Sequence, residues 1–420
     1  MSLRYADPET SGSGTGVHSR WPIPSPDQLA GMALLAVLAM PVVLPSLLLV
    51  PDADWQVDLE VYRTAAETVV SGGDLYAMRT PPPQLLPFTY PPFAALVALP
   101  LWLGSFAAMG WIWSAVQVFL LWVCVGVAFR RVLDRFGERR GLARGALAGV
   151  CTWFLPVTEG LYFGQVNSVI VTLCLLDVAT ARRERLPKGV LVGLATAVKL
   201  TPAVFWVHWA VTRQWRALLV SVGTAAGATA VTAVVLPRAS FVFWTRAVFD
   251  SERLGANSGT SNQSIRGVLL RLGPDNPVVV TLLWLGLAGL VCLVGFALAA
   301  RFERAGEPVA IVAAVGMVAV LVSPVSWVHH MHWAVVAVAA LLGDGRRLDR
   351  ILLSLALSIS MVIELPWIGH RWLFGAADYG VPRWVARIFQ NCYVGIAPLV
   401  LLGLWYSFRR SVSSRGGDRH

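Results

Sequence analysis

The sequence predicts an all-α polytopic membrane protein, and three observations carry that prediction. Of the 420 residues, 56% are hydrophobic and only 14% are charged. A soluble chain carries roughly 25% charged residues, so the charges here are too few to cover a water-facing surface of this size. The mean hydropathy is +0.64, and the apolar residues fall in stretches near the ~20 residues that cross a bilayer. Short basic runs separate those stretches. Together these features exclude a secreted disulfide scaffold, a disordered chain and an ordinary cytosolic enzyme. A net charge of +10 would suggest nucleic acid in a soluble protein; arginines placed between apolar stretches instead report topology, so no nucleic-acid partner is expected.

Residues 1–28 are polar and rich in Pro, Ser and Gly. They lack the basic-then-apolar order of a cleavable leader and are expected to form a disordered cytoplasmic tail. Spans are expected at 29–50, 106–129, 145–161, 165–181, 217–237, 278–300, 308–325, 331–343, 351–367 and 390–408. Residues 93–104, after a proline pair, read as a partial insertion. The stretch 190–212 is interrupted by Lys199-Leu200-Thr201-Pro202 and flanked on both sides by basic runs. Twenty-three residues are too few for two crossings, which predicts a broken, re-entrant hairpin lining protein or a wet cavity. The count is thus about ten to twelve membrane helices in one domain, 29–408, followed by a basic cytoplasmic tail, 409–420.

Lysine and arginine set the orientation. With the N-terminus inside, the segments 1–28, 130–144, 182–189, 213–216, 301–307, 344–350 and 409–420 hold twenty-three of them. The outer loops 51–105, 238–277 and 368–389 hold ten, in more residues. The first outer loop is acidic, with Asp52, Asp54, Asp58, Glu60, Glu67 and Asp74. Long loops lie on the outer face only, and chemistry is expected there.

In VDLEVYRTAAETVVSGGDLY (57–76), Leu59, Tyr62, Ala66, Val69 and Val70 fall on one face at helical spacing, ending at Gly72-Gly73. This predicts an amphipathic interfacial helix, with Asp58 either capping it or acting as a general base. FTYPPFAAL (88–96) reads as an aromatic belt or the wall of a lipid-access groove. GQVNSVI (164–170) makes a tight outer turn, with Glu159 just before it. Gln165 and Asn167 there serve either interhelical hydrogen bonds or sugar hydroxyls.

Lys199, in KLTPAVF (199–205), is the only lysine besides Lys188. At membrane depth an ammonium needs compensation: snorkelling, a protein carboxylate, or a lipid phosphate. SNQSIRGVLLRL (261–272) presents Asn262, Gln263, Ser264 and Arg266 as a capped loop or as ligands. SPVSWVHHMHW (323–333) places His329, His330 and His332 at an outer span boundary, for interfacial packing or for hydrogen-bonding duties in a site. Adjacent histidines rarely converge on one ion, so no metal is expected, and His330 is favoured over His329 to face the cavity. The five cysteines lie in or beside apolar stretches with no pairing pattern and read as small buried hydrophobes. No nucleotide-binding or hydrolase motif stands in a usable context, and no repeat of halves suggests a secondary transporter.

These six motifs, in this order and spacing, resemble glycosyltransferase family 87, the polyprenyl-phosphate-mannose-dependent α-1,2-mannosyltransferases of mycobacteria and related actinobacteria. The likeness covers roughly 30–410. It implies a GT-C membrane fold, an extracytoplasmic active site, a polyprenyl-phosphate mannose donor and inversion at the sugar. The acceptor it implies is a glycolipid, of phosphatidylinositol mannoside or lipomannan type. The aspartate of the family's first-loop motif matches Asp58, which gives that residue the role of base. The remaining roles follow from what the transfer needs. Lys199, Arg266, His330 and His329 are expected to meet the donor phosphate or sugar; Gln165, Asn167, Glu159, Asn262, Gln263 and Tyr62 are expected to meet sugar or acceptor. A mannosyl phosphate already carries an activated leaving group, so neither cofactor nor metal is required, and no obligatory protein partner is inferred. Two readings compete: a lipid or ion transporter using Lys199 and Glu159 as a coupling pair, and a non-catalytic membrane scaffold. Within the enzyme class the donor sugar could instead be arabinose.

Overall fold

The computed structural model describes residues 24–48, 55–180, 186–250, 253, 255–376 and 379–417. Most of the expected N-terminal tail, Asp52, Asp54 and the last three residues lie outside that set. Among the described residues the chain is helical, and its one isolated β-bridge joins Asn262 to Trp327.

Helix α1 (Pro26–Leu48) is followed by α2 (Val57–Val70) in the first loop. Short α3 (Pro92–Val97) and a 3-10 turn over Leu99–Leu103 occupy the stretch read as a partial insertion, before α4 (Phe106–Ala128). Next come α5 (Arg130–Leu133), α6 (Arg140–Thr152), α7 (Leu155–Phe163) and α8 (Asn167–Thr180). The interrupted stretch forms α9 (Val190–Val198) and α10 (Val204–Val211), and α11 (Trp215–Val235) follows. The second loop carries α12 (Pro237–Thr245) and α13 (Ile265–Leu272). Then α14 (Pro277–Ala305) turns back at Gly306 into α15 (Pro308–Val322), and a 3-10 turn over Val328–Trp333 leads into α16 (Ala334–Leu342). The chain ends with α17 (Leu348–Val362), α18 (Leu365–Phe374), α19 (Arg383–Gln390) and α20 (Cys392–Gly417).

Five helices, α1, α4, α11, α14 and α20, are each long and apolar enough to cross a membrane, or up to seven spans if each of two bent pairs counts as one. This makes the protein all-α and multi-pass. The expected straight spans at 145–161 and 351–367 are the bent pairs, with bends of 77° and 42°. Both bends sit just before a proline, Pro156 and Pro366, as does the break before Pro202. Proline lacks an amide donor, so it is tolerated in the first turn of a helix but not in its interior, and each of these prolines stands in the first turn of the new segment. The stretches expected at 165–181, 308–325 and 331–343 are helices of 10–17 residues. Nearly every residue of α15 and α16 is buried, so protein rather than lipid surrounds them and bilayer thickness does not set their length.

The hairpin expected at 190–212 is present. Asp177, near the end of α8, accepts hydrogen bonds from the amides of Gly189 and Val192, both at 2.8 Å. At the far end of α9, Lys199 reaches Asn167 at the start of α8. Lys188 then donates to Gln214, beyond α10, at 2.7 Å, so the chain returns to the end from which it entered.

Two hydrophobic clusters organise the rest. The larger runs from α1 to α20; the smaller contains Val61, Ala65, Leu75, Tyr76, Phe88 and Phe243. Helix α2 is wedged between them, burying Leu59, Tyr62 and Ala66 on one side and Val61 and Ala65 on the other. It is therefore more buried than an interfacial helix, and Val70, expected on the apolar face, is exposed.

The closest helix contact is between α1 and α6. A Cβ at Gly145 would collide with the Gly31 carbonyl, and one at Gly141 with the backbone of Asp27. The Asp27 carboxylate accepts from the amides of Gly141 and Leu142, satisfying free donors at the positive end of α6. Gly145→Leu is expected to lower the thermal unfolding midpoint of the detergent-purified protein. The cost is on the order of the 1–3 kcal/mol of overpacking, and Gly223→Leu, which faces open space, is the control.

Candidate active site

The site is built where four interrupted segments meet at one end of the bundle: the start of α2, the α7–α8 turn, the α9–α10 break and the 3-10 turn before α16. Each interruption is fixed locally. Gln56 precedes α2 in the left-handed region. It is fully buried, donating to Ser114 at 2.8 Å and to the Gly110 carbonyl at 3.3 Å, while its amide reaches the Tyr162 carbonyl at 3.1 Å. This ties the α2 start to α4 and α7 and places Asp58 in the first turn of α2, not at its cap. Gly164 ends α7 with φ of 72° and lies against Leu59, which a Cβ would strike. Glycine is needed there both for the turn and for the approach.

Asp58, Lys199 and His330 are each partly accessible yet deeply enclosed, as groups lining a recessed cavity are. Lys199 Nζ donates to Asn167 Oδ1 at 3.1 Å and lies 3.0 Å from His330 Nε2. An ammonium has no lone pair to offer, so His330 accepts at Nε2 and carries its proton on Nδ1. The same ammonium lies 5.5 Å from the centroid of the Tyr90 ring, within cation–π reach.

The Gln165 amide hydrogen-bonds Asp58. Its oxygen lies 3.4 and 3.3 Å from the hydroxyls of Tyr62 and Tyr90, which are 2.9 Å apart. Burial pushes the Asp58 carboxyl above the ordinary 3.8; His329, the Gln165 hydrogen bond and Lys199 pull it partly back. Burial likewise raises both phenols, which therefore remain hydrogen-bond donors.

Both histidines come in. In the 3-10 turn the rings of His329 and His330 are 4.9 Å apart at 79°. The two rings therefore lie together, although consecutive residues of a 3-10 turn point about 120° apart. His330 turns to Lys199. His329 is buried, its carbonyl accepting from Asn167 at 3.1 Å. Neither of its ring nitrogens is hydrogen-bonded, and Nδ1 is 3.8 Å from Glu159 Oε2. Glu159 accepts from Trp367 Nε1 at 2.7 Å. Lys199 and Glu159 thus have separate partners and do not form the pair that the transporter reading needs.

Two expected ligands are used elsewhere. Asn262 is fully buried; its side chain donates to the Asn257 carbonyl and accepts from the amides of Ser264 and Ser326. Gln263 donates to the carbonyls of Thr260 and Gln390. Both clamp the second loop to the segment after α15 and do not present their amides to a sugar. A buried side chain whose donors are taken by main chain has little left for a ligand. Arg266 is half-buried with Nη1 unpartnered, and it bonds to none of the cluster.

The sequence reading passed over Tyr90, Gln56, Trp367 and Gln117. Gln117 is buried on α4; with its amide turned to donate, it reaches the carbonyls of Gly160 and Gln165. A glutamine inside a spanning helix was the available signal. Among the described residues no group of three His, Cys, Asp or Glu side chains converges to hold a metal.

An all-α, multi-pass protein with an acid, a lysine and two histidines gathered at one end of its bundle has the plan of a membrane group-transfer enzyme. The profile of glycosyltransferase family 87 matches residues 88–324. A polyprenol-phosphate-mannose-dependent alpha-(1-2)-phosphatidylinositol mannoside mannosyltransferase of Mycobacterium tuberculosis is 33% identical over 335 residues, 74% of this chain and 76% of its own. A polyprenol-phosphate-mannose-dependent alpha-(1-2)-phosphatidylinositol pentamannoside mannosyltransferase of Mycolicibacterium smegmatis is 32% identical over 414 residues, 93% of this chain and 96% of its own. No solved structure matches the chain significantly. The chain belongs to glycosyltransferase family 87.

Gln165→Leu removes the hydrogen bond that holds the Asp58 carboxyl down. The acid limb of the pH–activity profile is expected to move to higher pH, by on the order of one unit. An unshifted limb would separate Asp58 from the titration that controls activity.

Proposed function

We propose that this protein transfers mannose from polyprenyl-phosphate mannose to a phosphatidylinositol mannoside, forming an α-1,2 linkage on the extracytoplasmic face. The observation that carries the reading is the pairing, in one recess, of a carboxylate raised by burial with an ammonium held by neutral partners. Inverting transfer needs one base and one cation, on opposite sides of the sugar. Asp58 takes the proton from the acceptor hydroxyl as its oxygen attacks the anomeric carbon. The bond from that carbon to the phosphate oxygen breaks on the far side, and the polyprenyl phosphate leaves with its charge against Lys199. His330, neutral and bonded through Nε2 to Lys199, keeps Nδ1–H as a donor and holds the ammonium in place. Asn167 fixes both Lys199 and the His329 backbone. Glu159 lies 3.8 Å from His329 Nδ1, and we assign this pair to the acceptor hydroxyls.

A lipid donor needs an apolar path to the recess. Beside it lies a groove of about 460 Å³, lined by Pro91, Leu200, Trp206, Ala226, Ala230 and Trp244 among others. Pro91 and Leu200 directly follow Tyr90 and Lys199 in the chain. We assign the first isoprene units of the donor to this groove. The extracytoplasmic placement rests on the excess of arginine at the opposite end.

Purified protein given radiolabelled polyprenyl-phosphate mannose and a panel of glycolipid acceptors tests the reading directly; label that stays on the donor with every acceptor would overturn it. Asp58→Asn is expected to lose roughly 10²–10⁴-fold in turnover at unchanged expression. Near-normal turnover would reduce Asp58 to a structural acid. Because the carboxyl is raised, wild-type activity should fall, as pH is lowered, at a higher pH than an ordinary aspartate would give. Lys199→Met is expected to raise the apparent KM for donor much more than that for acceptor. Equal effects on both would indicate a structural ammonium.

A further inference from the structure

The end of the bundle opposite Asp58 holds a second cavity. Helix α4 begins beside Gln56 and ends at this cavity, so the two sites are about 34 Å apart at 1.5 Å per residue, one on each side of a membrane. The volume is about 1580 Å³, above the usual 300–1,000 Å³ of a small-molecule site. It lies between the ends of α4, α8, α14 and α16, the middle of α20 and the starts of α15 and α17.

Seven arginines and three carboxylates line it, and the bonding separates committed cations from uncommitted ones. Arg131 is bound to Glu307 at 2.6 Å, and Arg140 to Asp134 at 2.6 Å. Arg347 pairs with Asp349, and Arg350 donates to the carbonyls of Ala340 and Leu341. Arg301 and Arg304 make no ion pair or hydrogen bond among the described residues. They are three residues apart on the last turns of α14, hence on one helix face, and both are exposed. Beneath them the wall is apolar, with Phe302, Val309, Leu404 and Phe408.

A rim of free guanidinium groups over an apolar wall, at the level of lipid headgroups, fits an anionic amphiphile. We propose that this cavity binds an anionic phospholipid of the facing leaflet, its phosphate held by Arg301 and Arg304 and its acyl chains against Phe302, Leu404 and Phe408. A soluble phosphate offers the same charge but would leave the apolar wall uncovered. The proposal is independent of the transfer chemistry, because neither arginine belongs to the Asp58 site.

The test uses full-length protein in neutral detergent, with thermal midpoint as readout. Phosphatidylglycerol is expected to raise the midpoint of the wild type; phosphatidylcholine and millimolar inorganic phosphate are not. The double variant Arg301→Gln/Arg304→Gln should need about tenfold more phosphatidylglycerol, or more, for the same shift. It should keep the wild-type rate of sugar transfer in detergent that contains donor and acceptor but no added phosphatidylglycerol, which reports an intact fold. An unchanged phosphatidylglycerol response in the double variant overturns the site. A full response to inorganic phosphate overturns the lipid as its occupant. If the double variant does not fold, native mass spectrometry of the wild type decides: retained phosphatidylglycerol adducts that Arg304→Gln loses support the site, and equal retention overturns it.

Discussion

The constraint on which the rest depends is one ammonium enclosed at the break of a hairpin. Taking a charged group out of water is costly unless it is paired, and Lys199 meets several partners of different kinds. Asn167 and His330 accept hydrogen bonds from it, Tyr90 presents a ring face, and Asp58 supplies opposite charge. No single regular helix supplies all of these. Each comes from a place where regular structure stops, and unpaired peptide groups are tolerated inside a membrane only where protein or a wet cavity meets them. The interruptions therefore gather, and the recess is where they gather.

That clustering divides the recess by chemistry. On one side two neutral acceptors, Asn167 and His330, hold the cation in position and leave its third N–H free. On the other, Asp58 is held by one amide, with two phenols behind it, and His329 keeps both ring nitrogens free of hydrogen bonds. Such an arrangement is rigid toward an anion and adaptable toward hydroxyl groups, which suits one lipid-phosphate donor and acceptors differing in their sugars.

Much of this could be read from residues alone. Hydropathy and arginine placement gave an all-α polytopic chain, and Pro202 between two basic flanks gave the hairpin. Lys199 stood out because lysine is almost absent. Composition is blunt about helix length: α8, α15 and α16 are apolar enough to suggest straight spans, yet protein surrounds them and they end early. It is blunter still about polar side chains. Asn262 and Gln263 look as available as Gln165 and Asn167 in sequence, but their amide donors are taken by carbonyls that come together only in three dimensions. Tyr90 was visible only as part of an aromatic belt, since its approach to Lys199 depends on how α2 packs against the Tyr-Pro-Pro segment. That the rings of His329 and His330 meet was not legible from helical spacing, which turns consecutive residues apart.

The hairpin formed by α9 and α10 leaves from the side it enters, so it adds nothing to the number of crossings. An insertion, a deletion or a change of pitch within it leaves every later helix with its direction unaltered, whereas the same edit in α11 or α14 could invert all that follows. Lys199 is thus carried on a part of the chain that is neutral in topology. Evolution can retune the depth and tilt of Lys199 there without renegotiating how the remainder of the protein is threaded through the bilayer.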